Sequence, residues 1–126
     1  MKLAAALLVA LLGFGAAPAA ALETKPYSAP ALTEAKQAGK PIALHFHADW
    51  CPTCRAQAKA FQALAAEAGL DVTILTVNYD TETELKRSLN VRTQSTLIVY
   101  KGGQETARLA GVTDSEALKK ALKSAL

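Results

Sequence analysis

The chain has 126 residues, with 14 basic against 11 acidic side chains and a formal net charge of +3. Its basic residues are scattered singly or in pairs with no aromatic interleaving, which removes the electrostatic case for a nucleic-acid partner. The length suits one compact domain with its own core and leaves little room for a second.

The first 21 residues read as a secretory signal peptide. Lys2 supplies a short positive start, Leu3 to Phe14 is an apolar run, and Ala19-Ala20-Ala21 supplies the small residues of a cleavage site. The apolar run is short for a membrane span, which needs about 20 residues. A cut after Ala21 would leave residues 22–126 with a net charge of +2, in a periplasmic or extracellular setting. No cysteine stands near that point, so a lipoprotein anchor is not expected.

Leu22 to Tyr27 is a polar lead-in with Pro26, read as extended and as a candidate edge strand. Ser28 is placed to cap a helix with Pro30 in its first turn, running through Leu32 to Ala38 and stopping at Gly39. Ile42 to His47 reads as a central strand. A helix then starts at Pro52, with Phe61, Leu64, Ala65 and Ala68 on one face, and ends at Gly69. Val72 to Asn78 is a β-branched strand. Thr81-Glu-Thr-Glu84 has capping-box spacing ahead of a short helix with Leu85 and Leu89 on its apolar face. Thr96 to Tyr100 is a strand, Lys101-Gly-Gly-Gln104 a turn, and Gln104 to Leu109 its antiparallel partner. Thr113-Asp-Ser-Glu116 has the spacing of a second capping box. The last helix buries Ala117, Leu118, Ala121, Leu122 and Ala125. A βαβ unit followed by a hairpin and a helix implies an α/β fold: a mixed four-stranded sheet, with room for a fifth, N-terminal strand, and helices on both faces.

The chemistry centres on Cys51-Pro-Thr-Cys54, the only two cysteines, set behind Trp50. In an oxidising compartment two cysteines commonly form a structural bridge. A loop with only two residues between the cysteines closes very little chain, however, so such a bridge would stabilise little. A strand leading in and a helix leading out favour a redox pair instead. Pro52 places Cys51 at the start of the helix, where free N–H groups and the dipole favour thiolate over thiol. Cys51 is then the exposed nucleophile and Cys54, one turn in and deeper, the resolving thiol. Arg55 and Lys59 add positive charge to the same helix, or are simply its solvated surface. Trp50 offers a flat apolar contact for a partner, or is a partly buried aromatic.

Ala48-Asp-Trp-Cys-Pro-Thr-Cys54 behind an apolar strand resembles the active-site segment of the thioredoxin family. The resemblance extends through Val77-Asn-Tyr-Asp80, Val91-Arg-Thr-Gln-Ser-Thr-Leu97, Tyr100-Lys-Gly-Gly103 and Leu109-Ala-Gly-Val112. It implies the thioredoxin fold, a thiol–disulfide oxidoreductase activity without an organic cofactor, and a substrate surface at Trp50, Pro52, Thr53, Gln94, Ser95 and Thr96. Ala35-Lys-Gln-Ala-Gly-Lys-Pro41 taken with Ala48-Asp-Trp-Cys51 is similar to the periplasmic thioredoxin-like domain of DsbD. That likeness implies protein thiols and disulfides of the periplasm as partners, a membrane electron donor of the DsbD type, and a monomer.

Three residues depart from the family pattern. Ser95 stands where the family has a cis-proline facing the dithiol; a non-proline cis bond costs about 2.5–4 kcal/mol, so a trans peptide is expected, or a strained one held by the fold. His45 stands where thioredoxins carry a buried carboxylate that takes the proton of the resolving thiol, and it is the candidate proton acceptor here. His47 replaces an aromatic residue. Two apart on a strand, His45 and His47 share a face, expected to be that of the dithiol.

Two functional classes follow. The first is a periplasmic thiol–disulfide oxidoreductase, with reduction the favoured direction. The alternative is a copper- or zinc-binding chaperone on the same fold, with Cys51, Cys54, His45 and His47 as ligands. A binding module with an inert disulfide is a third reading.

Overall fold

The computed structural model describes residues 13, 15 and 21–126. Apart from Gly13, Gly15 and Ala21, the expected signal segment lies outside the described residues.

Among the described residues nine elements follow in order: β1 (Glu23–Pro26), α1 (Ala29–Gln37), β2 (Pro41–His47), α2 (Pro52–Ala65), β3 (Thr73–Asn78), α3 (Thr83–Ser88), β4 (Thr96–Lys101), β5 (Gln104–Ala110) and α4 (Ser115–Lys123). They build one mixed sheet in the order β1-β3-β2-β4-β5. β1 and β2 both run parallel to β3, and β4 runs antiparallel to β2 and to β5. The lead-in therefore is a fifth strand, held at the edge by bonds such as Tyr27 N–H to the Thr76 carbonyl (2.9 Å).

β2 is central, and all its residues from Ile42 to Phe46 are buried, as expected of a strand covered on both faces. Ile42, Leu44 and Phe46 pack with Leu32, Leu75, Val77, Ile98 and Tyr100, under α1 and α3. Ala43 points the other way, into a cluster with Phe61 and Leu64 of α2 and with Leu118 and Leu122 of α4. By strand alternation His45 and His47 project toward this second face, where the rings of His45 and Phe61 stand nearly perpendicular with centroids 5.1 Å apart.

Local chemistry sets the element ends. Ser28 caps α1 by accepting from Ala31 N–H. Gly39 follows the helix at φ +67°, where Lys40 N–H closes back on the Ala35 carbonyl at 3.0 Å; an αL residue just past a helix is glycine's natural place. α2 ends at Ala65, short of Gly69. Its last turn tightens, with Ala66 N–H on Ala63 O and Glu67 N–H on Leu64 O, and Ala68 is drawn into a bridge with Ala21. Ala65 and Ala68 are consequently exposed rather than packed.

Neither capping box forms. Thr81 N–H is already taken by Asn78 Oδ1 (3.3 Å), and Glu84 pairs with Arg87 (3.0 Å), so α3 starts one residue late behind Glu82, which makes no side-chain cap bond. At α4 the cap is Asp114, whose carboxylate accepts from Ala117 N–H at 2.9 Å. Aspartate caps at least as well as threonine, and shifting the start by one residue puts Glu116 out of phase for the reciprocal bond.

Candidate active site

Cys51 is the N-cap of α2, with extended backbone (φ −91°, ψ 113°) ahead of Pro52. The capping role usually filled by an oxygen falls to a sulfur: Cys54 N–H donates to Cys51 Sγ at 3.1 Å. An acceptor here gains from negative charge, because it sits against unpaired N–H groups at the positive helix end.

The expectation of an exposed nucleophile needs correction. Cys51 shows 2 % of its surface and Cys54 none. The two differ slightly in depth, since Cys51 keeps a sliver of exposed surface at the start of α2 and Cys54 keeps none. Cys51 therefore lies just under the surface, and Cys54 lies deeper, donating weakly toward the Phe46 carbonyl at 3.8 Å.

The two thiols are driven apart. Burial pushes Cys51 up, but hydrogen bonds from the Cys54 thiol, the Ser95 hydroxyl and the N–H groups of Cys54 and Thr53 outweigh it, and the result lies below the ordinary thiol value. Cys54 is raised, first by burial and then by its bond to Cys51, with Ser95 and the Ala48 N–H offsetting only part. This asymmetry favours ionisation at Cys51 and holds the proton on Cys54.

Ser95 faces the pair from the loop before β4. Its Oγ lies 3.3 Å from Cys51 Sγ and 3.1 Å from Cys54 Sγ. No cis peptide bond occurs among the described residues, as expected of Ser95; the strain appears instead in its φ of +65°. That backbone is held from both sides. Ser95 N–H donates to the Phe46 carbonyl (2.9 Å), and the Ser95 carbonyl accepts from Gly111 N–H (3.0 Å) and Gln57 Nε2 (3.0 Å).

Gln57 is the site residue that sequence reasoning missed. It is fully buried on α2. Its amide nitrogen donates to the carbonyls of Ser95 and Val112 (2.9 Å), which leaves Oε1 to accept from His45 Nε2 at 2.8 Å. This assigns the His45 proton to Nε2. The signal was readable: in the stripe Cys54, Gln57, Phe61, Leu64, one polar side chain stands at helical spacing on the apolar face.

His45 departs from its expected role in two respects. Burial, opposed by the Gln57 bond and reinforced by nearby His47, lowers its pKa to about 4, so it is neutral and a weak base at neutral pH. Its Nε2 is committed to Gln57, and no hydrogen bond joins His45 to either sulfur among the described residues. The histidines do share a face, with ring centroids 5.3 Å apart, but the four presumptive metal ligands do not converge. His45 and His47 line a cavity of about 180 Å³ with Thr24, Ala58, Phe61, Gln62 and Thr76, and neither cysteine lines it. His47 Nε2 turns to Asp49 Oδ1 at 3.0 Å. Among the described residues, no group of three or more His, Cys, Asp or Glu side chains is placed to hold a metal ion.

The remaining predicted residues form the rim. Trp50 is 57 % exposed, its indole N–H fixed on Asp80 Oδ2 at 2.8 Å. Asp80 is a second residue not anticipated. Pro52 is exposed, Thr53 and Gln94 are half-buried, and Thr96 is buried with its hydroxyl on the Thr93 carbonyl at 2.8 Å. Arg55 is more than solvated surface, since its guanidinium donates to the Asp49 carbonyl at 2.8 Å and steadies the turn before Cys51. Lys59 is exposed on the same helix.

A capped, thiolate-favouring cysteine beside a buried thiol is the working pair of a thiol–disulfide oxidoreductase. Comparison with known proteins agrees. The family model described as thioredoxin matches residues 29–124. The chain is 33% identical over 86 residues to the thioredoxin of Mycobacterium tuberculosis, a match spanning 68% of this chain and 74% of that one. Among solved structures, Trxlp from Edwardsiella tarda is similar at 36% identity with a TM-score of 0.74, covering 79% of this chain and 98% of that one. Thioredoxin O2 from Arabidopsis thaliana is similar at 28% identity with a TM-score of 0.67, covering 82% and 93%. The chain belongs to the thioredoxin family.

Proposed function

We propose that this protein is exported and reduces protein disulfides in the periplasm, drawing electrons from a membrane donor of the DsbD type. The observation that carries the chemistry is the cap: Cys51 Sγ accepts the Cys54 N–H at the start of α2 while the Cys54 thiol stays buried behind it. The setting rests on Lys2, the apolar run to Phe14 and Ala19-Ala20-Ala21, and the donor on the likeness around Ala35–Pro41 and Ala48–Cys51.

The reaction balances as follows. Cys51 thiolate attacks a partner disulfide, forming one S–S bond and releasing one partner thiolate, which takes up the Cys54 proton. Cys54 thiolate then attacks Cys51 Sγ, closing the intramolecular disulfide and releasing the second partner sulfur, which takes a proton from water. Two electrons have passed to the partner. Exposed Trp50 and the rim residues Pro52, Thr53 and Gln94 offer the docking surface.

The decisive experiment is trapping. Cys54→Ser should accumulate mixed disulfides through Cys51 in periplasmic extract, and Cys51→Ser should trap nothing; no adduct with either variant would defeat the reading. Direction is set by the potential against glutathione. A value near the roughly −270 mV of a reducing thioredoxin supports reduction, and one near the about −120 mV of a strong oxidant reverses it. Export predicts a periplasmic form whose mass begins at Leu22; an unprocessed cytoplasmic chain would refute it.

A further inference from the structure

We propose that Ser95 is a catalytic residue, its hydroxyl donating to whichever of the two sulfurs carries the negative charge, first Cys51 and then Cys54. This rests on the reading of Cys51 as attacking and Cys54 as resolving thiol. A serine hydroxyl has one proton to donate and two lone pairs that accept. With Cys51 ionised and Cys54 protonated, the hydroxyl 3.3 Å from the first and 3.1 Å from the second donates to the thiolate and leaves its lone pairs toward the thiol. Once Cys51 enters the mixed disulfide, its sulfur no longer carries charge. Rotation about Cβ–Oγ then turns the same proton onto Cys54 as its own proton leaves to the released partner thiolate. No bond of Ser95 is made or broken and no further reactant is required.

The geometry favours this over a passive loop contact. Cys51 has the Cys54 N–H as cap donor at every stage. Beside the hydroxyl, Cys54 has the Ala48 N–H, which offsets only part of its burial, and its sulfur faces the Phe46 carbonyl, an acceptor that opposes a negative charge. The hydroxyl reaches both sulfurs, and both polar groups of its own backbone are tied down. Ser95 N–H is on Phe46 O, and Ser95 O is gripped by Gly111 N–H and the buried Gln57 amide. A buried serine held in left-handed backbone by its surroundings is a pre-positioned group, since such strain persists only where the fold over-determines it. Gln57 is thereby the positioning residue for this hydroxyl.

The test compares wild type with Ser95→Ala and Ser95→Gly; the glycine variant relaxes the backbone and keeps the test alive should the alanine variant fold poorly. Cys51 alkylation by iodoacetamide is followed against pH on the reduced protein, and decay of the mixed disulfide with a model disulfide peptide is followed by stopped flow. A lost hydrogen bond to a charged sulfur should raise the alkylation midpoint by about one pH unit in both variants, cutting the thiolate fraction about tenfold below that range. Resolution should slow by about the same factor. Midpoints within about 0.2 units of wild type together with an unchanged resolving rate would overturn the proposal. So would an effect in Ser95→Ala that Ser95→Gly does not share, because backbone strain would then be its cause. Failure of the parent reading looks different: wild type would form no mixed disulfide at all, while the alkylation titration would still register the hydroxyl.

Discussion

Replacing Gln57 by leucine tests whether the buried amide is the structural link between β2, α2 and the loop at Ser95. Leucine fills nearly the same volume, so the perturbation is chiefly polar. Three hydrogen bonds are lost. The Ser95 carbonyl keeps Gly111 N–H, but His45 Nε2–H and the Val112 carbonyl lose the amide. The orphaned buried His45 N–H costs about 1–3 kcal/mol and the half-buried Val112 carbonyl about 1–2, and the added apolar burial returns about 1, for a net loss of about 1–4 kcal/mol. In a domain of this size that lowers the melting temperature by roughly 5–20 °C. Urea unfolding of Gln57→Leu, His45→Phe and the double variant measures it as a cycle. With both partners apolar the double variant should be much less destabilised than the sum of the singles, a coupling of about 1–3 kcal/mol. A loss under about 0.5 kcal/mol for Gln57→Leu, or strict additivity, would refute the reasoning.

The same histidine predicts a pH dependence. His45 has a pKa near 4 in the fold, lowered chiefly by burial, against 6.5 as the ordinary value, so between these limits the unfolded chain binds more protons. Stability should be fully present above pH 6.5 and fall as pH drops toward 4, by roughly 3 kcal/mol over the window. Wild type minus His45→Phe, by urea unfolding at several pH values, isolates the contribution; parallel curves would contradict it. Trp50, exposed and pinned by Asp80, should act on partners rather than on sulfur. Trp50→Ala is expected to lower kcat/KM for a protein disulfide about tenfold while leaving reduction of a small aromatic disulfide unchanged. Equal losses on both substrates would place its effect at the thiol instead.

The elements were legible because their patterns are local. The apolar run from Ile42 to Phe46 has no solvent face, Pro52 can only begin a helix, and Leu118, Ala121, Leu122 and Ala125 repeat at helical spacing. The dithiol was legible for the same reason, since cap and sulfur lie within four residues of sequence. What remained hidden depends on distance in the chain. Gln57 meets Ser95 across 38 positions and Val112 across 55, and Trp50 meets Asp80 across 30. The basicity of His45 was misjudged because a sequence carries no dielectric: the reference value holds in water, and burial beside Phe61 does not resemble water. The capping boxes misled for a subtler reason. Spacing identifies groups that could pair, but Asn78 claims the Thr81 N–H first, and Asp114 outcompetes Thr113 as cap.

Ser95 joins these arguments, because stability and chemistry make different demands at its position. At φ +65° a side chain costs roughly 1 kcal/mol that glycine would avoid. Glycine in turn loosens the unfolded chain by about 0.5–1 kcal/mol, so Ser95→Gly should leave folding stability within about 0.5 kcal/mol of wild type. Three backbone bonds fix the loop whichever residue stands there, and none of them uses the hydroxyl. The hydroxyl's bonds go to the sulfurs alone. A variant with wild-type unfolding in urea and a displaced Cys51 titration would separate the two roles in one molecule. A loss above about 2 kcal/mol would instead make the hydroxyl a structural tie, at the scale of a buried polar group stripped of its partner.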